Sequence, residues 1–151
     1  MKLRVLVWLL FATWASTTWA QVEVKDAWVR ATVSQQKATG AFMSLTAAKN
    51  TRLVQVTTPV AGVAEIHEMS MADNMMRMRA IDAVELPAGK TVELKPGGFH
   101  VMLLDLKQAI KEGDEIPLTL VLEGADGKRT NQNVKVQARG IMGMGGMMNK
   151  K

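Results

Sequence analysis

Short runs of apolar and β-branched residues recur along the chain from Val22 onward, and Gly, Pro, Asn or Asp interrupts each run. Runs of this length and spacing are typical of strands in a β-sandwich or β-barrel. The pattern predicts nine strands, at residues 22–32, 40–46, 53–57, 64–68, 75–81, 91–94, 99–104, 117–123 and 133–138. We therefore expect an all-β fold.

Turn chemistry supports this prediction at three places. Residues 87–90 (PAGK), 95–98 (KPGG) and 124–127 (GADG) combine proline, glycine and aspartate as tight reversals require. Residues 106–113 are predicted to form one helical turn. The pattern contains no internal repeat and no long linker, so we expect a single domain at residues 21–139.

The two ends of the chain differ from this domain. Lys2 and Arg4 precede an apolar run at residues 5–12, which is typical of a secretory signal peptide. Small residues up to Ala20 predict cleavage there, and we expect export to the periplasm. Residues 140–151 are rich in glycine and methionine, without strand periodicity, and are expected to form a flexible tail.

Charge and cysteine content exclude several functions. The net charge of +5 falls to +3 without Lys2 and Arg4, because 17 basic residues then face 14 acidic ones. This balance is too mild to indicate nucleic-acid binding. The chain has no cysteine, although export would permit disulfides. A cysteine nucleophile, a blue-copper centre and a thiolate zinc site are therefore excluded.

The only two histidines lie in a repeated pattern. His67 and His100 are each followed two residues later by a methionine, Met69 and Met102. Positions i and i+2 of a strand point to the same face. The strand around His100 can therefore direct an imidazole and a thioether to one point while Val101 faces the core.

A second group of methionines lies nearby in the sequence. Met76 and Met78 alternate with Arg77 and Arg79, so one face of that strand carries sulfur and the other carries positive charge. If these strands adjoin, two histidines and two methionines can surround one ion. Thioethers are soft ligands, so this donor set favours copper(I). Residue patterning alone pairs His67 with Met69.

The order of these residues resembles the PCu(A)C family of periplasmic copper chaperones. His67 is followed by ten residues, Met78, twenty-one residues, His100, one residue and Met102. The similarity covers most of the chain after residue 20, including residues 27–31 (AWVRA), 40–43 (GAFM), 66–69 (IHEM), 76–79 (MRMR), 86–89 (LPAG) and 94–103 (LKPGGFHVML).

The resemblance implies a cupredoxin-like Greek-key β-barrel or sandwich. It also implies that His67, Met78, His100 and Met102 bind one copper(I), with Met78 rather than Met69 as the fourth ligand. Met69, Met71, Met75 and Met76 then become candidates for a soft rim. The recipient implied by the family is the periplasmic copper-site subunit of cytochrome c oxidase, reached directly or with a thiol-bearing copper assembly protein. We expect a monomer that turns over no substrate.

Three other functions are considered. An electron-transfer cupredoxin is disfavoured by the missing cysteine. A copper or silver sequestration protein would use the same ligands with another destination. A β-sandwich protein-interaction module would use its methionines as an apolar surface. Among single residues, Trp28 and Met43 are expected in the core, and Arg77 and Arg79 on a solvated face that can also steer an acidic partner.

Overall fold

The computed structural model describes residues 22–140, so the predicted signal peptide and the tail methionines from Met142 onward lie outside the described residues. Ten strands form its secondary structure. They are β1 (Val22–Arg30), β2 (Ala38–Ala47), β3 (Thr51–Thr57), β4 (Ala61–Ala72), β5 (Met75–Ala80), β6 (Val84–Leu86), β7 (Thr91–Leu94), β8 (Phe99–Leu106), β9 (Glu115–Gly124) and β10 (Arg129–Arg139). The prediction of an all-β fold is confirmed.

The strands follow the order β5-β4-β8-β7-β2-β1-β10-β9-β3-β6, and β8 also pairs with β2. Two pairings are parallel, β1 with β10 and β7 with β8, and the remaining ones are antiparallel. Strand β4 thus lies between β5 and β8. The predicted site required the strands that carry His67, Met78 and His100 to lie near one another, and the observed strand order has this arrangement.

All nine predicted strands are present, with shifted ends, and the prediction missed β6. That strand has only three residues and ends immediately before Pro87, so its alternation is too short to stand out. Strand β4 is longer than predicted and continues to Ala72. Its extension contains Met69, Ser70 and Met71, which are weaker strand formers than β-branched residues. Pairing with β5 stabilises the extended conformation of this segment.

The β4–β5 hairpin closes with a two-residue turn at Asp73 and Asn74. Both residues have positive φ, 53° and 58°, which is the conformation that a type I′ turn requires. Asp and Asn tolerate this region better than most residues. The turn fixes the register in which the methionines of the two strands face one another.

The three predicted reversals are confirmed by backbone hydrogen bonds. Lys90 N donates to Pro87 O, Gly98 N donates to Lys95 O, and Gly127 N donates to Gly124 O, at 3.1, 3.0 and 2.9 Å. The predicted helical turn at residues 106–113 is wrong. This segment is irregular because Thr32 ties it to the end of β1: Thr32 N donates to Ile110 O, and Ile110 N donates to Thr32 Oγ1, both at 2.8 Å.

Residues 22–140 form no helix, and therefore none long and apolar enough to cross a membrane.

A single hydrophobic core takes side chains from every strand except β5. Met43 and Val101 are buried in it, as predicted. All six residues of β5 are exposed. Substitutions in β5 therefore leave the core intact, which matters for testing the methionines that it carries.

Glu123 on β9 joins the strands on both of its sides. It lies opposite Arg52 on β3 and Arg129 on β10, and its carboxylate accepts hydrogen bonds from both guanidinium groups. Arg52, and then Arg129, hold the pKa of the Glu123 carboxyl below its usual range. The ion pairs therefore stabilise the fold above the ordinary pKa of glutamate, and this contribution is lost as the pH falls through the lowered pKa.

We predict that Glu123→Gln lowers the midpoint of denaturant unfolding at pH 7, and that the difference from the wild type disappears as the pH falls below the lowered pKa of Glu123. Unfolding curves at successively lower pH, from pH 7 to the pH at which the wild type itself unfolds, measure this. The control is Glu115→Gln, which removes one exposed pair with Lys135 and should have a smaller effect. A Glu123→Gln deficit that stays constant over this pH range contradicts the prediction.

Candidate metal centre

Strands β4, β5 and β8 place the four predicted site residues on one face. His67 lies directly opposite His100 across the β4–β8 pair, and Met69 lies opposite Met78 across the β4–β5 pair. Met102 follows two positions after His100 and therefore shares its face. Because paired residues of antiparallel strands point to the same side, all these side chains emerge together.

Three of the four residues line one cavity of about 320 Å³, namely Met78, His100 and Met102. Met69 also lines it. His67 does not; its ring lies beside that of His100, with centroids 5.8 Å apart. The structure therefore places all four residues on adjoining strands, with His67 next to His100 and outside the lining of the cavity.

His100 is 4% exposed, and both ring nitrogens have defined neighbours. Nδ1 lies 3.0 Å from the carbonyl oxygen of Gly98. A carbonyl only accepts hydrogen bonds, so Nδ1 carries the proton and donates it. In the neutral ring, Nε2 then presents its lone pair to the Sδ atom of Met78, 3.2 Å away. The tight turn before β8 thus fixes the tautomer that a metal ligand needs.

His67 has a different partner. Its Nε2 lies 2.7 Å from Oε2 of Glu65, so Nε2–H donates to the carboxylate. Nδ1 is buried without a hydrogen-bond partner, and within residues 22–140 no other buried side-chain nitrogen or oxygen lacks one. A buried unpaired nitrogen is costly and calls for an explanation.

Sequence reasoning missed Glu65. It lies opposite Met102 on β8 and two residues before His67. Both positions put it on the same face as the predicted ligands, and the alternation that paired His67 with Met69 could have found it.

An aromatic stack forms another wall of the cavity. Phe42 lines it and packs on Trp28, with ring centroids 4.5 Å apart. The expected core position of Trp28 is therefore wrong: its ring is half-buried outside the core. Gly40 makes room for Phe42, because a Cβ atom there would lie 2.7 Å from the phenyl ring.

The donors at this centre are soft. The described part of the chain contains no group of three or more His, Asp or Glu side chains that could hold a metal ion, and the chain has no cysteine. The predicted ligands supply imidazole nitrogen and thioether sulfur, and the nearby Glu65 carboxylate contacts His67. Such ligands suit monovalent copper and disfavour calcium or magnesium.

Sequence comparisons connect this chain to known proteins. The LpqE-like family, described as "Putative lipoprotein LpqE-like", matches residues 22–139. "Putative lipoprotein Lxx21020" of Leifsonia xyli subsp. xyli is 33% identical over 100 residues, which is 66% of this chain and 60% of that protein. "Uncharacterized protein RP573" of Rickettsia prowazekii is 31% identical over 123 residues, covering 78% of this chain and 67% of that one.

Solved structures share the fold. "Copper-bound PCuAC domain from PmoF2" is 22% identical with a TM-score of 0.64, over 80% of this chain and 93% of that domain. "Solution structure of CuI-DR1885 from Deinococcus Radiodurans" is 26% identical with a TM-score of 0.60, over 82% and 81%. The fold is thus cupredoxin-like, as predicted. The family match over residues 22–139 shows that this chain belongs to the LpqE-like family, which is the PCu(A)C family.

Proposed function

We propose that this protein is a periplasmic metallochaperone that carries one copper(I) ion between His67, Met78, His100 and Met102. The observation that carries the proposal is the contact between Nε2 of His100 and Sδ of Met78, 3.2 Å apart. A thioether sulfur has no proton to donate. With the proton of His100 on Nδ1, the two atoms present lone pairs to each other, an arrangement that a cation between them stabilises.

The distance fits two ligands of one ion. With metal–nitrogen and metal–sulfur bonds of about 2.0 and 2.3 Å, the lengths that zinc sites show, a tetrahedral angle places the two ligand atoms about 3.5 Å apart. His100 and Met78 need to separate only slightly from the observed contact. Met102 lines the same cavity and supplies a second sulfur.

His67 completes the proposed set through the nitrogen that lacks a partner. Glu65 holds Nε2–H, which leaves the lone pair on Nδ1, the buried atom without a hydrogen bond. A carboxylate that holds a ligating histidine also raises the basicity of the ring. Glu65 is therefore proposed as a positioning residue rather than a ligand.

Copper is the cargo that the neighbours support, since one PCuAC domain is described as copper-bound and DR1885 is described with copper(I). Release follows from ligand strength. Neutral thioethers are weak individually, and Met78 is 51% exposed, so an incoming thiolate can displace it first. No substrate bond is broken, and we propose no enzymatic activity.

The acceptor proposed is the periplasmic copper-site subunit of cytochrome c oxidase, directly or with a thiol-bearing assembly protein.

Export is supported by the lipoprotein names of the family and of the Leifsonia relative, and cleavage after Ala20 remains a prediction. The chain spans about 60% of that relative's length. A monomer is proposed as the carrier.

We predict that His100→Ala weakens copper(I) binding by more than about 100-fold, because loss of outer partners of a ligand alone costs 10–100-fold. Met78→Leu should also weaken copper(I) binding. Because Met78 is exposed and lies outside the core, this substitution should leave the fold intact. Anaerobic copper(I) titration against a competing chelator measures both affinities.

Met75→Leu is the matched control, since Met75 lies on β5 with a similar exposure but on the opposite face from Met78. Its affinity should equal that of the wild type. Wild-type affinity in both His100→Ala and Met78→Leu contradicts the proposed site. Retention of copper in the presence of a cysteine-bearing acceptor would instead indicate sequestration.

For Glu65, we predict that replacement by alanine weakens copper(I) binding by about 10–100-fold, the cost typical of losing an outer partner. The same titration measures it. Glu68→Ala is the control, because that carboxylate lies on the other face of β4 and pairs with Arg79 at 2.9 Å. Affinity that is unchanged or higher in Glu65→Ala shows that the carboxylate does not support ligation.

A further inference from the structure

The β4–β5 hairpin carries several exposed methionines, of which only Met78 is a proposed copper ligand. Within residues 22–140, six large hydrophobic residues are exposed, and four of them are Met71, Met75, Met76 and Met78, at 68, 56, 54 and 51%. Strand β5 is an edge strand, and exposed apolar residues on an edge favour aggregation. None of these side chains belongs to the core, so packing does not account for them.

Their distribution over the two faces is unequal. Met71 lies opposite Met76, and Met69 lies opposite Met78, one step closer to His67. These four methionines share the face of His67. The other face carries Met75 with Arg77 and Arg79, and Arg79 pairs there with Glu68. Two successive cross-strand pairs of methionines therefore extend from the cavity toward the turn.

The spacing allows three sulfurs to meet. Directly opposed Cβ atoms in an antiparallel pair lie about 4.5–5.5 Å apart, and diagonal neighbours remain within reach of long side chains. Methionine has three flexible side-chain bonds. Met71 and Met76 are opposed, and Met69 adjoins both on the same face while also lining the cavity. An ion held by these sulfurs would lie beside the histidine site, one cross-strand pair closer to the turn.

We propose that Met69, Met71 and Met76 form a second, weaker site for a soft monovalent ion, made only of thioethers and open to solvent. Copper as its cargo rests on the proposed function; binding of a soft ion does not. The thioether donors determine which ions the site selects. Neutral sulfur binds the soft ions copper(I) and silver(I), whereas harder divalent ions prefer oxygen ligands and stay hydrated.

Silver(I) titration of the full chain, with isotope-labelled methionine methyl groups observed by NMR, tests the proposal. We expect the first equivalent to shift the signals of Met78 and Met102, and further silver to shift those of Met69, Met71 and Met76 while Met75 stays unchanged. Residue-resolved signals separate this site from the methionines of the tail. A second phase that leaves Met71 and Met76 unmoved, or moves Met75 equally, overturns the proposal.

Variants give an independent reading. Met71→Leu with Met76→Leu should lose the second phase and keep the first, whereas Met75→Leu should keep both. If the double variant keeps the second-phase shift of Met69, with unchanged affinity for silver(I) in that phase, the proposed second site is overturned. If the first equivalent fails to shift Met78 and Met102, the proposed copper site fails instead, and the second phase is judged separately.

Discussion

The register between β4 and β8 is the constraint on which the centre depends. It places His67 opposite His100 and Glu65 opposite Met102. Three proposed ligands and the proposed positioning carboxylate are therefore brought together by paired strands. A slip of one residue would turn this whole face of β4 to the other side of the sheet. Ile66, which is buried in the core between Glu65 and His67, holds the register because slippage would expose it.

The chemistry of the centre follows from what the chain omits. Because the chain has no cysteine, the proposed ligands are all neutral, and they would leave the single positive charge of copper(I) uncancelled. Thioethers cannot form disulfides in an oxidising compartment, although they can be oxidised to sulfoxides. Weak individual ligands and an exposed Met78 suit an ion that must be handed on. Of the proposed ligands, His100 is buried and held in place, whereas Met78 is exposed and can be replaced.

Local pattern predicted most of the fold because alternation and turn residues are short-range signals. Strand β6 is too short for such a signal, and the extension of β4 depends on pairing with β5 rather than on its own residues. The strand order that places β4 next to β8 is a long-range property. Residue patterning could therefore group His67 with His100 only on the condition that their strands adjoin, and the family resemblance supplied the ligand set. Trp28 was misplaced because alternation does not distinguish the core from a half-buried position, here against the cavity-lining Phe42.

X-ray absorption at the copper edge of the one-to-one copper(I) complex tests the central claim most directly, because it counts the atoms bound to the ion. Two sulfur and two nitrogen neighbours are predicted for the wild type, and Met78→Leu with Met102→Leu should lose both sulfurs. A shell without sulfur in the wild type, or an unchanged sulfur count in the double variant, would contradict the account.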